Sequence, residues 1–115
     1  MLTKKDLRER KFNATDLEKA IITDLLSQGD EEEITTYMKD VVNYGCQNGI
    51  VTALIYYTDT EKFFKKHFND IFDLYNQYIE ETGTNPNFEL NANNLAWFAY
   101  ENICYNLLNE FGVEF

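Results

Sequence analysis

Helix-start and helix-stop signals follow one another along most of this chain, while only one segment resembles a strand. A single strand would leave its backbone N–H and C=O groups without a ladder partner, so no sheet can be built from it. That segment, Ile50-Val51-Thr52-Ala53-Leu54-Ile55-Tyr56-Tyr57, is therefore read as a buried helix, although its β-branched and aromatic content suits a strand equally well. The expected fold is all-α, an irregular bundle of about five helices.

The signals are local and physical. Residues 3–10 read as a short, highly charged helix with little of its own to hold it down. Thr15-Asp16-Leu17-Glu18 is a capping box, followed by Leu17, Ala20, Ile21 and Leu25 at helical spacing, with Gly29 as the C′ stop. Asp30 caps the next helix, and Glu31, Glu32 and Glu33 fill its first turn, where the macrodipole favours anions. Its apolar stripe is Ile34, Tyr37, Met38, Val41 and Val42. A second box, Thr58-Asp59-Thr60-Glu61, opens a long helix to about Glu81, with the stripe Phe64, Phe68, Ile71, Phe72, Tyr75, Tyr78 and Ile79. Gly83 stops it and Thr84-Asn85-Pro86-Asn87 is a loop. A last helix is expected from about Ala92 to Glu110 behind Asn91, with Leu95, Phe98, Ala99, Ile103 and Leu107 inward and Gly112 closing it. Its apolar side chains cover nearly every face between Leu95 and Tyr100, so it either centres the core or offers part of itself to a partner.

At 115 residues the chain suits one all-helical domain over 1–115, with 1–12 as a charged N-terminal helix or arm. No apolar run reaches the roughly 18–20 residues of a membrane span, and the N-terminus lacks the apolar stretch of a signal peptide. Two cysteines, Cys46 and Cys104, make no secreted disulfide framework. A cytoplasmic location is expected.

Charge narrows the function. The net charge is -10, and it is unevenly placed. Lys4, Lys5, Arg8, Arg10 and Lys11 make the first residues basic, whereas no Lys or Arg follows Lys66. Beyond that point stand Asp70, Asp73, Glu80, Glu81, Glu89, Glu101, Glu110 and Glu114. A one-signed field of this kind repels nucleic acid and attracts basic surfaces. Direct DNA or RNA binding by the C-terminal half is therefore not expected. The plainer reading is that the acidity only keeps a small protein soluble.

Chemistry has few footholds. His67 is the single histidine; with Asp70 and Asp73 it could hold a metal only weakly, and a surface or boundary position is the plainer expectation. Cys46 paired with His67 would be a nucleophile, but buried core positions are the ordinary place for free cysteines, Cys104 included. No serine elbow, phosphate loop or HExxH occurs. No catalytic residue, metal or cofactor is assigned. The acids Asp70, Asp73, Glu80 and Glu81 crowd the C-terminal half of their helix, against its dipole, which favours a partner-facing role. Trp97 is the aromatic best suited to anchor an interface, with Glu101 beside it.

Three stretches carry a family resemblance: Gly45-Cys46-Gln47-Asn48-Gly49 leading to Leu54-Ile55-Tyr56-Tyr57; Thr58-Asp59-Thr60 with Phe64 and His67; and Asn94-Leu95-Ala96-Trp97-Phe98-Ala99-Tyr100-Glu101. Over about residues 37–107 the chain resembles an uncharacterised family of small proteins carried by phages, plasmids and other bacterial mobile elements. The 13 Asn residues, with many Ile, Phe, Tyr and Lys, come from A/T-rich codons and fit a low-GC bacterium or its phage. The resemblance implies no activity and no catalytic residues. It implies a context in which small acidic proteins often antagonise host defence, as anti-CRISPR and anti-restriction proteins do, some by presenting DNA-like charge. The basic N-terminus departs from a pure DNA mimic.

The expected function is thus a non-enzymatic interaction protein that inhibits a host nucleic-acid-handling protein, such as a CRISPR nuclease, by filling its basic groove. Asp70, Asp73, Glu80, Glu81, Trp97 and Glu101 are the candidate contact residues. The alternative is a structural or regulatory homo-oligomer, a homodimer for example, with its aromatic stripes buried against one another. A third class, an enzyme built on Cys46 and His67, ranks last.

Overall fold

The computed structural model describes residues 2–44 and 60–115, and among these there are six α-helices and no strand. They are α1 (Lys4–Lys11), α2 (Asp16–Leu26), α3 (Glu31–Tyr44), α4 (Thr60–Lys66), α5 (Phe68–Thr82) and α6 (Ala92–Glu110). The all-α expectation holds, with six helices where about five were expected. The Ile50–Tyr57 helix, Cys46, and the Thr58-Asp59 half of the second capping box lie outside the described residues.

α6 is the axis of the fold. It packs against α2, α3, α4 and α5, and α1 lies on α2. Leu95, Ala96, Ala99, Tyr100, Ile103, Cys104, Leu107 and Leu108 are all buried along it. A helix that is apolar round most of its circumference can satisfy itself only in the middle of a core. The small Ala96 and Ala99 let neighbouring helices approach closely, and Cys104 serves as a buried small hydrophobe.

The local signals are realised as hydrogen bonds. Thr15 Oγ1 accepts from the Glu18 N–H at 3.2 Å while Glu18 Oε1 accepts from the Thr15 N–H at 3.0 Å. Asp30 and Glu33 form the same reciprocal pair at the head of α3, at 2.9 and 3.2 Å. Asn91 Oδ1 accepts from the Asn94 N–H at 2.9 Å and opens α6. Gly29 is not the C′ residue of α2. The helix ends at Leu26 with Ser27 as its cap, and Gly29, at φ 141°, lies two residues beyond that cap. A Cβ at Gly29 would come within 2.8 Å of the Glu33 side chain, so the glycine makes room for that capping carboxylate.

α1 is held more firmly than its composition suggests. Thr3 and Asp6 form a further capping box, and Leu2 and Leu7 are each only 1% exposed. Arg10 donates from Nη2 to Glu18 Oε2 at 2.7 Å and from Nε to Glu110 Oε2 at 2.9 Å, and its Nη1 reaches the Asn13 carbonyl. The segment is tied by two leucines and one arginine to the start of α2 and the end of α6.

The long helix expected from Thr58 to about Glu81 is broken at His67. That residue leaves helical geometry at φ -112° and ψ 21°, dividing α4 from α5. The break lets α4 and α5 each find their own line against α6. No Pro or Gly marks it. His67 itself is 5% exposed, not at the surface, and its ring lies 4.7 Å from that of Phe63. Burial, and then Lys66, lower its pKa below the ordinary value, against the smaller opposing pull of Asp70 and Asp16. A histidine depressed in the native state binds its proton more readily when unfolded. Stability is therefore full above the unfolded value of about 6.5 and falls as the pH drops from there toward the folded value. Urea denaturation between about pH 7 and about pH 5.5 should show this loss, and His67→Gln should flatten the curve in that window, which lies above the ordinary carboxylate range. A curve of unchanged slope in the variant would assign the loss to other groups.

Candidate interaction groove

Along one side of the bundle, α5 and α6 leave a groove of about 640 Å³ with the end of α3 at its margin. Its apolar walls are Val42, Leu74, Tyr78, Phe98 and Tyr105. Tyr78 meets Phe98 edge-on with ring centroids 5.2 Å apart, and Tyr75 and Phe88 brace the same phenyl ring at 5.8 Å each. This web fixes the floor. Tyr105 stands half out of the surface with its ring 5.3 Å from that of Phe115.

Polar groups rim the groove. Glu81 comes from α5 and Glu101 from α6, with the amides of Gln77, Asn102 and Asn106 among the lining residues and no Lys or Arg. Gln77 Nε2 donates to Glu81 Oε1 at 3.0 Å, which orients that exposed carboxylate. Two acids, three amides and aromatic walls suit a cationic, partly apolar segment: carboxylates meet the charge while rings cover its aliphatic stem.

The expected contact residues separate into groups. Glu81 and Glu101 enter the groove together. Asp73 and Glu80 lie exposed on α5 and are not among the lining residues. Asp70 is occupied within the fold, since its Oδ2 accepts from the Leu17 N–H at 3.2 Å and so caps the first turn of α2 from a different helix. Trp97 is half-buried on α6 and does not line the groove. The aromatic residues that do line it are Tyr78, Phe98 and Tyr105. Tyr78 and Phe98 read from sequence as core positions, whereas Tyr105 was not singled out. Its signal is the spacing Phe98, Glu101, Asn102, Tyr105, which marks one face of α6.

Among the described residues no three His, Cys, Asp or Glu side chains converge as a metal site, and no helix is long and apolar enough to cross a membrane. Cys46 lies outside the described residues, so the pairing of Cys46 with His67 is not part of this geometry.

Fold and groove together define an acidic all-α protein organised round one central helix, with an aromatic-floored cleft carrying carboxylates. The chain belongs to a family defined by a domain of unknown function, DUF7222, whose pattern matches residues 14–113. That span takes in the whole of the resemblance over 37–107 and leaves α1 outside. No curated protein and no solved structure matches the chain.

Proposed function

We propose that this protein is a non-enzymatic interaction protein whose acidic C-terminal half engages the basic, nucleic-acid-binding groove of a host protein. The context suggested by the family resemblance is a phage or mobile element, and a CRISPR effector or restriction nuclease is the kind of target that fits it. One observation carries the reading: from His67 onward there is no Lys or Arg, and within that half Glu81 and Glu101 flank an aromatic cleft. Asp73 and Glu80 extend the acidic surface of α5 beside it. Tyr78, Phe98 and Tyr105 supply the apolar part of the contact, with Trp97 and Asp70 as candidate contacts outside the groove, Asp70 also accepting from the Leu17 N–H.

The test is capture from low-GC bacterial lysate followed by affinity measurement on the purified target. Binding should weaken steeply as salt shortens the Debye length from about 30 Å at 0.01 M to about 3 Å at 1 M. Charge reversal at Asp73, Glu80 and Glu81 together should lower the association rate by about tenfold to a thousandfold, the range that electrostatic steering supplies. Binding indifferent to salt and to these reversals would sink the reading. The homo-oligomer reading keeps one specific support, the row Phe64, Phe68 and Phe72, whose middle ring is 48% exposed.

A further inference from the structure

The most exposed large apolar side chain among the described residues is Phe12, at 89%. It follows directly on α1, the basic end of the molecule, with Lys11 beside it and exposed Arg8 one turn earlier. At that exposure, packing among the described residues gives no reason for an aromatic side chain there. The groove between α5 and α6, which Phe12 does not line, offers the complementary set: aromatic walls from Tyr78, Phe98 and Tyr105, and the carboxylates of Glu81 and Glu101. One chain thus carries both halves of a cation-plus-aromatic recognition pair.

We infer that the groove takes the Arg8–Phe12 segment of a second copy of this chain, with the Phe12 ring against Tyr78, Phe98 and Tyr105 and the Lys11 and Arg8 charges toward Glu81 and Glu101. Three observations select this occupant. The charges are opposite, since the chain's first eleven residues are net basic and residues 67–115 carry acids without Lys or Arg. The donor is rigid: Leu7 and Arg10 hold α1 in place, so presenting Phe12 orders little new chain. The cleft, at about 640 Å³, has room for a phenyl ring and a lysine stem. Each copy gives one segment and offers one groove, so the contact either closes as a reciprocal two-fold pair or runs head to tail. It is also small, in the class of transient contacts below about 1,200 Å². The donor segment lies outside the family-matched span 14–113, whereas the groove lies within it.

The inference needs no foreign partner, and purified protein alone tests it. Sedimentation equilibrium over a concentration series at about 0.01 M salt should show the weight-average mass rising above the monomer, and about 1 M salt should suppress the rise. Phe12→Ala, a surface change expected to leave the helical circular dichroism intact, should weaken association by about tenfold or more. Glu81→Lys should weaken it too, and mixing Glu81→Lys with Lys11→Glu should recover part of the loss. A chain that stays monomeric at low salt overturns the inference. So does association that Phe12→Ala leaves unchanged, which would move the contact to the Phe64–Phe68–Phe72 row. Foreign capture would use the same groove, but it is read by binding to a purified target and self-association by sedimentation of the protein alone, so the two readings fail separately.

Discussion

Tyr100→Ala is expected to cost about 3–5 kcal/mol of folding stability, the range for removing a buried aromatic ring. Tyr100 is 1% exposed and is the largest fully buried side chain among the described residues. Its hydroxyl donates to Asp24 Oδ2 at 2.6 Å and accepts from the Tyr37 hydroxyl at 3.4 Å, while the two rings meet edge-on at 6.5 Å. One side chain on α6 therefore links α2 and α3. Burial first, and then the neighbouring Cys104, Tyr37 and Asp24, hold the phenol well above its ordinary pKa, so it keeps its proton and remains a donor. Tyr100→Phe keeps the ring and removes the charge-assisted bond to Asp24 together with the longer contact from Tyr37; the first dominates, and a loss of about 1.5–3 kcal/mol is expected. Urea unfolding of the two variants separates ring from hydroxyl. Equal losses would mean that the hydroxyl carries the whole effect; no loss in Tyr100→Phe would mean it carries none. Since a whole domain holds only about 5–15 kcal/mol, the alanine variant should lie near its unfolding threshold at ambient temperature.

Leu7→Ala should be the second large loss, about 2–5 kcal/mol. Two kinds of interaction hold α1, and their magnitudes decide which dominates. The Arg10 pairs with Glu18 and Glu110 involve partly exposed side chains, and pairs of that kind contribute about 0–1 kcal/mol. Leu7 is buried to 1%, so its deletion leaves a cavity against α2 in addition to the lost transfer energy. Arg10→Ala should therefore cost much less than Leu7→Ala. Limited proteolysis gives a second readout: cleavage after Arg8, Arg10 or Lys11 should be slow in the native protein and fast in Leu7→Ala. If Arg10→Ala released α1 and Leu7→Ala did not, the ranking of charge below burial here would be wrong.

The helix ends were legible because they are written in short polar motifs whose geometry is local. Thr15 with Glu18, Asp30 with Glu33, and Asn91 with Asn94 bond as their spacing requires. The ends of α6 at Ala92 and Glu110 follow from the same signals. Missed features depend on contacts distant in sequence. Nothing near His67 announces a break; the position is fixed by how α4 and α5 lie on α6, with the imidazole buried on Phe63. Composition alone made α1 look unsupported, because two leucines among so many charges are a weak signal until α2 covers them. The candidate groove was half visible. Glu81 and Glu101 were singled out by charge, but Asp70 is drawn away by the Leu17 amide, 53 positions earlier in the chain, and no reading of one helix could show that. Tyr105 became part of the groove only once α5 was placed beside α6.

The position of α6 has a consequence for the order in which the protein is made. Helices α2, α3, α4 and α5 all rest on a segment that is synthesised after every one of them. Until residues 92–110 have left the ribosome, the stripes containing Ile21, Met38 and Ile71 lack their shared centre, although α1 can already pack on α2 and the caps can already form. At roughly 5–20 residues per second, the growing chain spends seconds as capped helices without their central support, and the core closes late. A nascent chain arrested before Asn91 would therefore be all apolar stripe and no centre, a species for chaperones to hold.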